Sequence, residues 1–218
     1  AMEQGRFADE IGAMEVRGKL ISADDNVRGD ANVEKMAKLR PAFAKKGTLT
    51  AGNSSTLTDG AGAVLLMSEQ KARALGFDKL VAFRSWSYDA VDPADQMLLG
   101  PAISMPRAAV RAGMTRADLD LIDIHEAFAA QVLVILKMLA SESFAQQRLG
   151  YAEAFGAVTA EEINVHGGSI ALGHPFAATG ARMVTTMSNE LKLTGKSSAL
   201  LGICGGGGVS AAAVLESI

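Results

Sequence analysis

The sequence predicts a layered α/β domain with a mixed, mostly parallel sheet. From residue 80 onward, apolar runs of strand length alternate with longer segments of helix length, an order typical of parallel strands joined by helices. Hydrophobic residues make up 49% of the 218 and charged residues 21%, which is the composition of a globular protein rather than of a disordered one. A chain of this length can bury one good core, or one domain and part of another.

The first part of the chain carries weaker signals. Residues 31–44 could form a short helix, but Pro41 interrupts the pattern, so this part is predicted to be irregular. Residues 48–55 are predicted to form a strand that runs into a small polar loop. Residues 61–67 are apolar and short, which predicts a strand buried on both faces.

A helix is predicted directly after this apolar run. Ser68 suits its N-cap, Glu69 its positive start and Gly76 its C-terminal stop. The strand-and-helix unit then repeats toward the C-terminus. The further predicted strands span residues 80–86, 119–124, 163–166, 198–204 and 209–215, and the further predicted helices span residues 101–112, 127–139 and 175–191.

Two of these helices carry specific expectations. Residues 127–139 are apolar on all sides, so this helix is predicted to be buried all round. Pro175 suits the first turn of the last long helix, because a proline there loses no helical hydrogen bond.

Charge and cysteine content exclude several functions. The net charge of −3 provides no field for nucleic acid or for an anionic membrane surface. The single cysteine rules out an internal disulfide and suits a reducing compartment. Charged residues interrupt any signal-like run near the N-terminus, and the longest apolar stretch is too short to span a bilayer. The protein is therefore expected to be cytoplasmic, without a transmembrane segment.

The three histidines and the cysteine lie in glycine-rich segments or at the ends of predicted elements, where backbone can approach a ligand closely. His174 stands between a glycine and a proline, and its imidazole can act as a base or simply cap a turn. His125, followed by Glu126, ends a strand, and it can face a ligand crevice or cap the next helix. His166 is interpreted as a structural residue or as part of the rim of the site.

Cys204 opens a run of four glycines. A free cysteine is more often a small buried hydrophobe, but these glycines leave the thiol open and expose backbone N–H groups that suit an oxyanion site. Arg28 and nearby lysines form either a solvated face or, with Ser55, a site for a phosphorylated ligand. No metal site is expected, because the histidines and the cysteine lack the spacing of metal ligands.

Four segments, in this order, together resemble the thiolase family. Residues 52–61 resemble the loop and strand that end the first half of the family's chain, and residues 125–128 its Asn/His-Glu-Ala-Phe motif. Residues 173–180 resemble its Gly-His-Pro…Gly motif, and residues 204–208 its Cys-x-Gly-Gly-Gly motif. With histidine at position 125, the resemblance is greatest to the long-chain 3-ketoacyl-CoA thiolases, the β-subunits of β-oxidation multienzyme complexes.

The resemblance implies a thiolase-like fold, a division of the chain and roles for residues. Residues 1–77 would be a remnant of the N-terminal thiolase domain, and residues 78–218 the C-terminal domain. The implied acid/base groups are His174, the general base that activates a nucleophilic cysteine, and Cys204, which protonates the departing acetyl-CoA enolate. His125, acting through a water, would join His174 in binding the enolate oxygen.

The remaining implications concern ligands and partners. The Gly206 N–H would help to form a second oxyanion hole, and Ser55 and Arg28 match positions that contact coenzyme A. Coenzyme A would be a co-substrate, with no other cofactor. The parent protein is expected to be a homo-oligomer, in some cases with a hydratase/dehydrogenase α-subunit, that acts in fatty acid β-oxidation.

The nucleophilic cysteine of the family has no counterpart in these 218 residues, because the only cysteine lies in the acid/base motif. The chain alone is therefore expected to be inactive, and to expose apolar surface where the other half of the fold packs. Three hypotheses remain open: the C-terminal portion of a thiolase, a non-catalytic module that binds acyl-CoA or a partner subunit, and a hydrolase with Cys204 as nucleophile and His174 as base. The last ranks lowest, since the sequence shows no partner to orient His174.

Overall fold

The computed structural model describes residues 1–77 and 81–218 of the chain. The strands are β1 (Met14–Val16), β2 (Lys19–Ile21), β3 (Val81–Ala90), β4 (Leu121–Ile124), β5 (Ser198–Cys204) and β6 (Val209–Ser217). The helices are α1 (Val33–Met36), α2 (Glu69–Leu75), α3 (Pro93–Gln96), α4 (Pro101–Ala112), α5 (Ala129–Leu139), α6 (Glu142–Phe144), α7 (Ser169–Leu172) and α8 (Ala178–Thr194).

The core is built on one four-stranded sheet with the order β3-β6-β5-β4. The predicted α/β class with a mixed sheet is confirmed, but the expectation that most strands are parallel is wrong. Only β4 and β5 run parallel, whereas β5–β6 and β3–β6 are antiparallel. The reason lies in the glycine run after Cys204, which turns the chain straight back and lets β6 pair with β5 as a hairpin.

Helices cover both faces of this sheet, as the side chains of β4 show by pointing alternately to one face and the other. Ile122 and Ile124 belong to the larger apolar cluster, which includes buried residues of α4 and α5. Leu121 belongs to a second cluster with Met183 and Met187 of α8. Successive side chains of a strand point to opposite faces, so β4 is buried on both.

Several helix predictions are confirmed at their ends. The Ser68 side chain accepts a hydrogen bond from the backbone of Lys71, and Gly76 ends α2 in the left-handed conformation. Helix α4 spans the predicted residues 101–112 and ends at Gly113, also left-handed. The last long helix starts later than predicted, at Ala178, because Pro175 lies in a preceding turn that includes Phe176 at a φ of 45°.

The expectation that the helix over residues 127–139 is buried all round is wrong. Helix α5 packs one face on the core, but Leu133 is 59% exposed and Val134 39% exposed on the other. Both side chains are therefore open to solvent on this face. This exposed apolar face of α5 agrees with the expectation from the sequence that the chain exposes apolar surface where the other half of the fold packs.

Three predicted strands are not formed as strands. Residues 61–67 have no strand beside them in the described part of the chain, and they pass across the start of α8, with Gly62 against Ala178. Residues 48–55 make only one isolated bridge, at Ser54. Residues 163–166 also make one bridge, at Ile163. A strand needs a neighbour to satisfy its backbone, and among residues 1–77 and 81–218 these segments have none of sufficient length.

Residues 78–80 are outside the described residues. The domain boundary predicted between residues 77 and 78 adjoins them, and the predicted start of a strand at residue 80 falls among them. Within residues 1–77 the described sheet is limited to the β1–β2 hairpin. No helix in the described ranges combines the length and the apolar character that a bilayer-spanning segment needs.

Candidate active site

The parallel strands β4 and β5 end side by side and bring two predicted site residues to one edge of the sheet. Ile124 pairs with Gly202, and the His125 N–H donates to the Gly202 carbonyl over 2.8 Å. Cys204 follows two residues later at the end of β5, where the backbone N–H of Ala127 faces its sulfur. The carboxyl ends of parallel strands are the usual place for ligands in open α/β sheets.

His174 reaches this edge from the turn between α7 and α8. Its backbone N–H donates to the Thr56 carbonyl over 2.9 Å, which fixes the turn against the preceding loop. Gly173 has a φ of 99°, and a Cβ there would lie 2.4 Å from the Thr58 side chain, so only glycine fits before the histidine.

The two imidazoles of His125 and His174 lie against each other in a tilted arrangement, with ring centroids 4.2 Å apart and an interplanar angle of 37°. The Nδ1 atom of His125 lies 2.8 Å from the Ser169 hydroxyl, and that of His174 lies 2.8 Å from the Thr179 hydroxyl. Each ring is thus oriented through Nδ1, which leaves both Nε2 atoms for other partners. We call these two residues the histidine pair.

Burial and charge keep the histidine pair neutral. Burial lowers the pKa of His125 to about 3, with further lowering by His174 and Arg182. Burial also lowers the pKa of His174, and Arg182 adds to this effect. A neutral imidazole at pH 7 is the form that can accept a proton, as a general base must.

The thiol of Cys204 is protonated at neutral pH. Burial raises its pKa to about 11, and the N–H groups of Cys204 and Ala127 only partly oppose this. A neutral thiol is a proton donor and a poor nucleophile. This disfavours the hydrolase hypothesis, although Thr179 does supply His174 with the orienting partner that the sequence did not show.

Glu126 lies in a rigid hydrogen-bond network next to the histidine pair. Its carboxylate accepts from the Asn164 amide over 2.6 Å and from the Ile170 N–H over 3.1 Å. A Cβ on Gly168 would lie 2.4 Å from the Glu126 carboxyl carbon, so glycine is required there. Both oxygens of Glu126 are therefore used to hold the glycine-rich segment against β4.

The other three predicted site residues are Gly206, Ser55 and Arg28. Gly206 is exposed in the β5–β6 turn, and within the described residues nothing accepts a hydrogen bond from its N–H. The Ser55 N–H donates to the Ala127 carbonyl over 2.9 Å, which places this loop beside Cys204. Arg28 is exposed, and no hydrogen bond or ion pair joins its side chain to the histidine pair in the described part of the chain.

His166 lies outside the centre. Its Nε2 atom is 2.7 Å from a carboxylate oxygen of Glu190, and its ring meets that of Phe7 edge-on. These contacts agree with the structural interpretation made from the sequence. Across the described residues no group of histidine, cysteine and acidic side chains is arranged to hold a metal ion.

The sequence did not single out three residues that shape the site. They are Asn164, Ser169 and Thr179, which hold Glu126, His125 and His174 respectively. All three lie in the glycine-rich stretch that carries His174. The sequence feature that could have indicated them is the presence of short polar side chains within this stretch.

A cavity of about 340 Å³ adjoins the site on the side of Phe128. Its lining is mostly apolar and includes Leu49, Met97, Leu99, Phe128 and Val134. Its polar lining residues are Asp95, Gln96 and Gln131. The amide nitrogen of Gln131 is buried without a partner among the described residues, while its oxygen accepts from the Ala127 N–H.

Comparison with known protein families agrees with this geometry. The profile described as "Thiolase, C-terminal domain" matches residues 77–217, and "Thiolase, N-terminal domain" matches residues 1–70. The chain belongs to the thiolase family. The resemblance drawn from the motifs is thereby confirmed, together with the thiolase-like fold.

Individual thiolases match over the whole chain. The "3-ketoacyl-CoA thiolase" of Yersinia enterocolitica is 51% identical over 219 residues, covering 99% of this chain and 50% of that protein, and the one of Yersinia pestis has the same values. Among solved structures, the "human mitochondrial 3-ketoacyl-CoA thiolase in complex with CoA" has a TM-score of 0.86 and 32% identity, covering 100% of this chain and 51% of that one. The Bacillus anthracis acetyl-CoA acetyltransferase has a TM-score of 0.85 and 35% identity, with coverages of 100% and 52%. The chain thus spans about half the length of these thiolases.

Proposed function

We propose that this chain is the C-terminal portion of a 3-ketoacyl-CoA thiolase, an acetyl-CoA C-acyltransferase. The reaction is the thiolytic cleavage of a 3-ketoacyl-CoA into acetyl-CoA and an acyl-CoA shortened by two carbons. The observation that carries the proposal is the close contact of two neutral imidazoles at the same sheet edge as a protonated thiol. These groups are a base and an acid, the two kinds of group that the reaction needs beside its nucleophile.

The assigned roles follow the protonation states. His174 takes the proton of the nucleophilic cysteine, which belongs to the first half of the fold, and that thiolate attacks the 3-keto carbon. The carbon–carbon bond then breaks, and Cys204 gives its proton to the acetyl-CoA enolate. His174 and His125, the latter through a water, bind the enolate oxygen, while the Gly206 N–H serves the second oxyanion hole.

Completion of the cycle requires coenzyme A. A second coenzyme A gives its thiol proton to the Cys204 thiolate, attacks the acyl-cysteine and carries the shortened acyl group away, and the released cysteine thiolate takes back the proton held by His174. Ser55 and Arg28 are proposed to contact coenzyme A, supported by the position of the Ser55 loop beside Ala127. The apolar cavity next to Phe128 is of a size and polarity that suit the acyl tail. Neither role requires a metal or another cofactor.

The setting proposed for the parent protein is fatty acid β-oxidation in the cytoplasm. Its support is the 51% identity to 3-ketoacyl-CoA thiolases of Yersinia, together with the single cysteine. A homo-oligomer, with or without a hydratase/dehydrogenase α-subunit, is proposed on the same basis.

A second candidate function is a non-catalytic thiolase-like module that binds acyl-CoA or a partner subunit. The observation that favours it is that the described residues supply an acid and a base but only one thiol, which is buried and protonated. The chain on its own therefore lacks a nucleophile for thiolysis.

The test is a chimera. The residues of the Yersinia enterocolitica thiolase that precede the matched region are joined to this chain, and coenzyme A-dependent cleavage of a 3-ketoacyl-CoA is measured. We expect cleavage, a loss of at least about 100-fold when His174 is changed to Asn, and little change for Val110→Glu, an exposed position on α4. A folded chimera that binds coenzyme A but does not cleave the substrate would instead support the non-catalytic module.

A further inference from the structure

Phe176 combines two features that a residue kept for stability alone does not show. Its φ is 45°, in the left-handed region, where a bulky side chain strains the backbone. The residue is also 67% exposed, so it buries little apolar area to offset that strain. Strained residues of this kind are concentrated at active sites and ligand clamps.

The other two non-glycine residues with a positive φ in the described ranges have local reasons for it. Asn164 is of the type that tolerates the left-handed conformation, and its side chain bonds to the backbone of Ile124. Arg17 precedes Gly18 in the two-residue turn of the β1–β2 hairpin, where a positive φ is usual.

The turn that contains Phe176 does not explain its conformation. The Ala178 N–H donates to the Pro175 carbonyl over 3.1 Å, which closes a turn with Phe176 at its first central position. Glycine, asparagine or aspartate is the usual residue where such a position has a positive φ. Because phenylalanine stands there instead, the reason for it lies in what its ring contacts.

The ring of Phe176 contacts the imidazole of His174. The two ring centroids are 5.2 Å apart with an interplanar angle of 60°, an edge-on arrangement that aromatic pairs favour. The value of φ at residue 176 sets the direction of its Cβ relative to the preceding peptide, so the strained backbone contributes to this contact. The same imidazole meets His125, with the centroids 4.2 Å apart.

This contact supplies a restraint that the hydrogen bond of His174 does not. The Thr179 hydroxyl holds only the Nδ1 atom, at 2.8 Å, and a ring held at one atom can still pivot about it. We propose that Phe176 is a positioning residue that keeps the His174 imidazole against His125, and that its strained backbone is retained for this purpose. The proposal rests on the proposed function, in which His174 is the general base. Phe176 acts through His174 and not on the substrate.

The experiment reads the contact between the two imidazoles directly. In the 218-residue chain, a nuclear Overhauser cross-peak between carbon-bound ring protons of His125 and His174 reports their contact, and single His→Asn variants assign the signals of the three histidines. We expect Phe176→Ala and Phe176→Gly to lose this cross-peak. Phe176→Tyr retains an aromatic ring at an exposed position, so it is expected to keep the cross-peak.

A stability measurement on the same variants tests the strain. Glycine adopts a φ of 45° without strain and alanine does not, so the equilibrium constant for unfolding is expected to be about fivefold lower for Phe176→Gly than for Phe176→Ala. Leu193→Ala is the matched control, since it truncates a 62% exposed apolar side chain elsewhere on α8, and it should keep the cross-peak. A merely structural phenylalanine would change stability and leave the cross-peak in place.

Several outcomes overturn the proposal. They are persistence of the cross-peak in folded Phe176→Ala or Phe176→Gly, its loss in Phe176→Tyr or Leu193→Ala, its absence from the unsubstituted chain, and equal unfolding constants for the alanine and glycine variants. If Phe176→Ala does not fold, the cross-peak in Phe176→Gly decides alone, because glycine relieves the strain. The measurement needs no turnover, so an inactive chimera counts against the proposed function only, and a failed cross-peak test counts against Phe176 only.

Discussion

The side chain of Asn164 binds the backbone of Ile124 as a neighbouring strand would. Its Oδ1 atom accepts from the Ile124 N–H over 2.7 Å, and its Nδ2 atom lies 3.0 Å from the Ile124 carbonyl. The same Nδ2 donates to Glu126 over 2.6 Å. One amide therefore satisfies the outer edge of β4 and fixes the acidic residue that follows His125.

The first prediction concerns this amide. Replacement of Asn164 by Ala leaves the buried Ile124 N–H without a partner and places alanine at a φ of 51°, a left-handed conformation. We expect the free energy of unfolding to fall by about 2–4 kcal/mol, from the lost hydrogen bonds and the backbone strain together. Urea denaturation followed by circular dichroism measures it.

Asn164→Gly is the matched control. It loses the same hydrogen bonds but adopts the left-handed conformation without strain, so it is expected to be about 1 kcal/mol more stable than Asn164→Ala. Equal stabilities for the two variants would show that strain plays no part, and wild-type stability for both would contradict the role of the amide.

The second prediction concerns the space beside Glu126. A methyl group on Gly168 would overlap the Glu126 carboxyl carbon, at 2.4 Å, and force it away from the Ile170 N–H. We expect Gly168→Ala to lower the free energy of unfolding by about 1–3 kcal/mol. Gly180→Ala, within α8, is the control. The added Cβ would lie 3.5 Å from the Ile203 side chain, an ordinary contact, so the free energy of unfolding is expected to rise by about 0.5–1 kcal/mol. Equal effects at the two positions would refute the steric account.

The third prediction concerns the thiol. Because the pKa of Cys204 is raised from 9.0 to about 11, its thiolate fraction near pH 8 is roughly 100-fold below that of an unperturbed cysteine. We expect iodoacetamide to label the native chain at least about 100-fold more slowly than the chain in urea. Mass spectrometry reads this directly, since the chain has one cysteine. Rapid labelling of the folded chain at pH 8 would mean that Cys204 is an activated nucleophile, as the hydrolase hypothesis requires.

The fourth prediction concerns acid stability. The pKa of His125 is about 3 in the folded chain and about 6.5 when unperturbed, so the unfolded chain binds its proton first as the pH falls. The stability that neutral His125 contributes is thus present above pH 6.5 and is lost between pH 6.5 and 3. We expect His125→Asn to lose less stability than the wild type between pH 7.5 and pH 5, measured by urea denaturation. Ser169→Ala retains the imidazole and should retain the wild-type pH dependence; a flat profile in that control would assign the effect to the hydrogen bond instead.

The elements that were predictable from the sequence are those whose signals are local. Helices α2 and α4 end at glycines in the left-handed conformation, and the cap at Ser68 is formed by neighbouring residues. The position of His125 and Cys204 at one edge of the sheet was also predictable, because one predicted strand ends directly before His125 and another ends at Cys204.

The features that were not predictable depend on distant partners. Strand direction in β6 is set by a four-residue glycine turn and by pairing with β3, whose residues lie more than a hundred positions earlier. Residues 61–67 have the composition of a buried strand, but no described strand pairs with them. The contact of Arg182 with Asp123 joins a helix to a strand, and no local pattern indicates it.

The last prediction concerns the exposed apolar face of α5. Leu133 is 59% exposed next to Val134, which is 39% exposed, so the isolated chain should bind apolar dyes and self-associate. We expect Leu133→Glu to reduce both, as measured by dye fluorescence and light scattering, with a change in unfolding free energy within about 0.5 kcal/mol because the site is exposed. Val110→Glu is the matched control, since Val110 on α4 is 57% exposed. Equal reductions by both variants would point to net charge rather than to α5, and no reduction by either would show that this face does not mediate association.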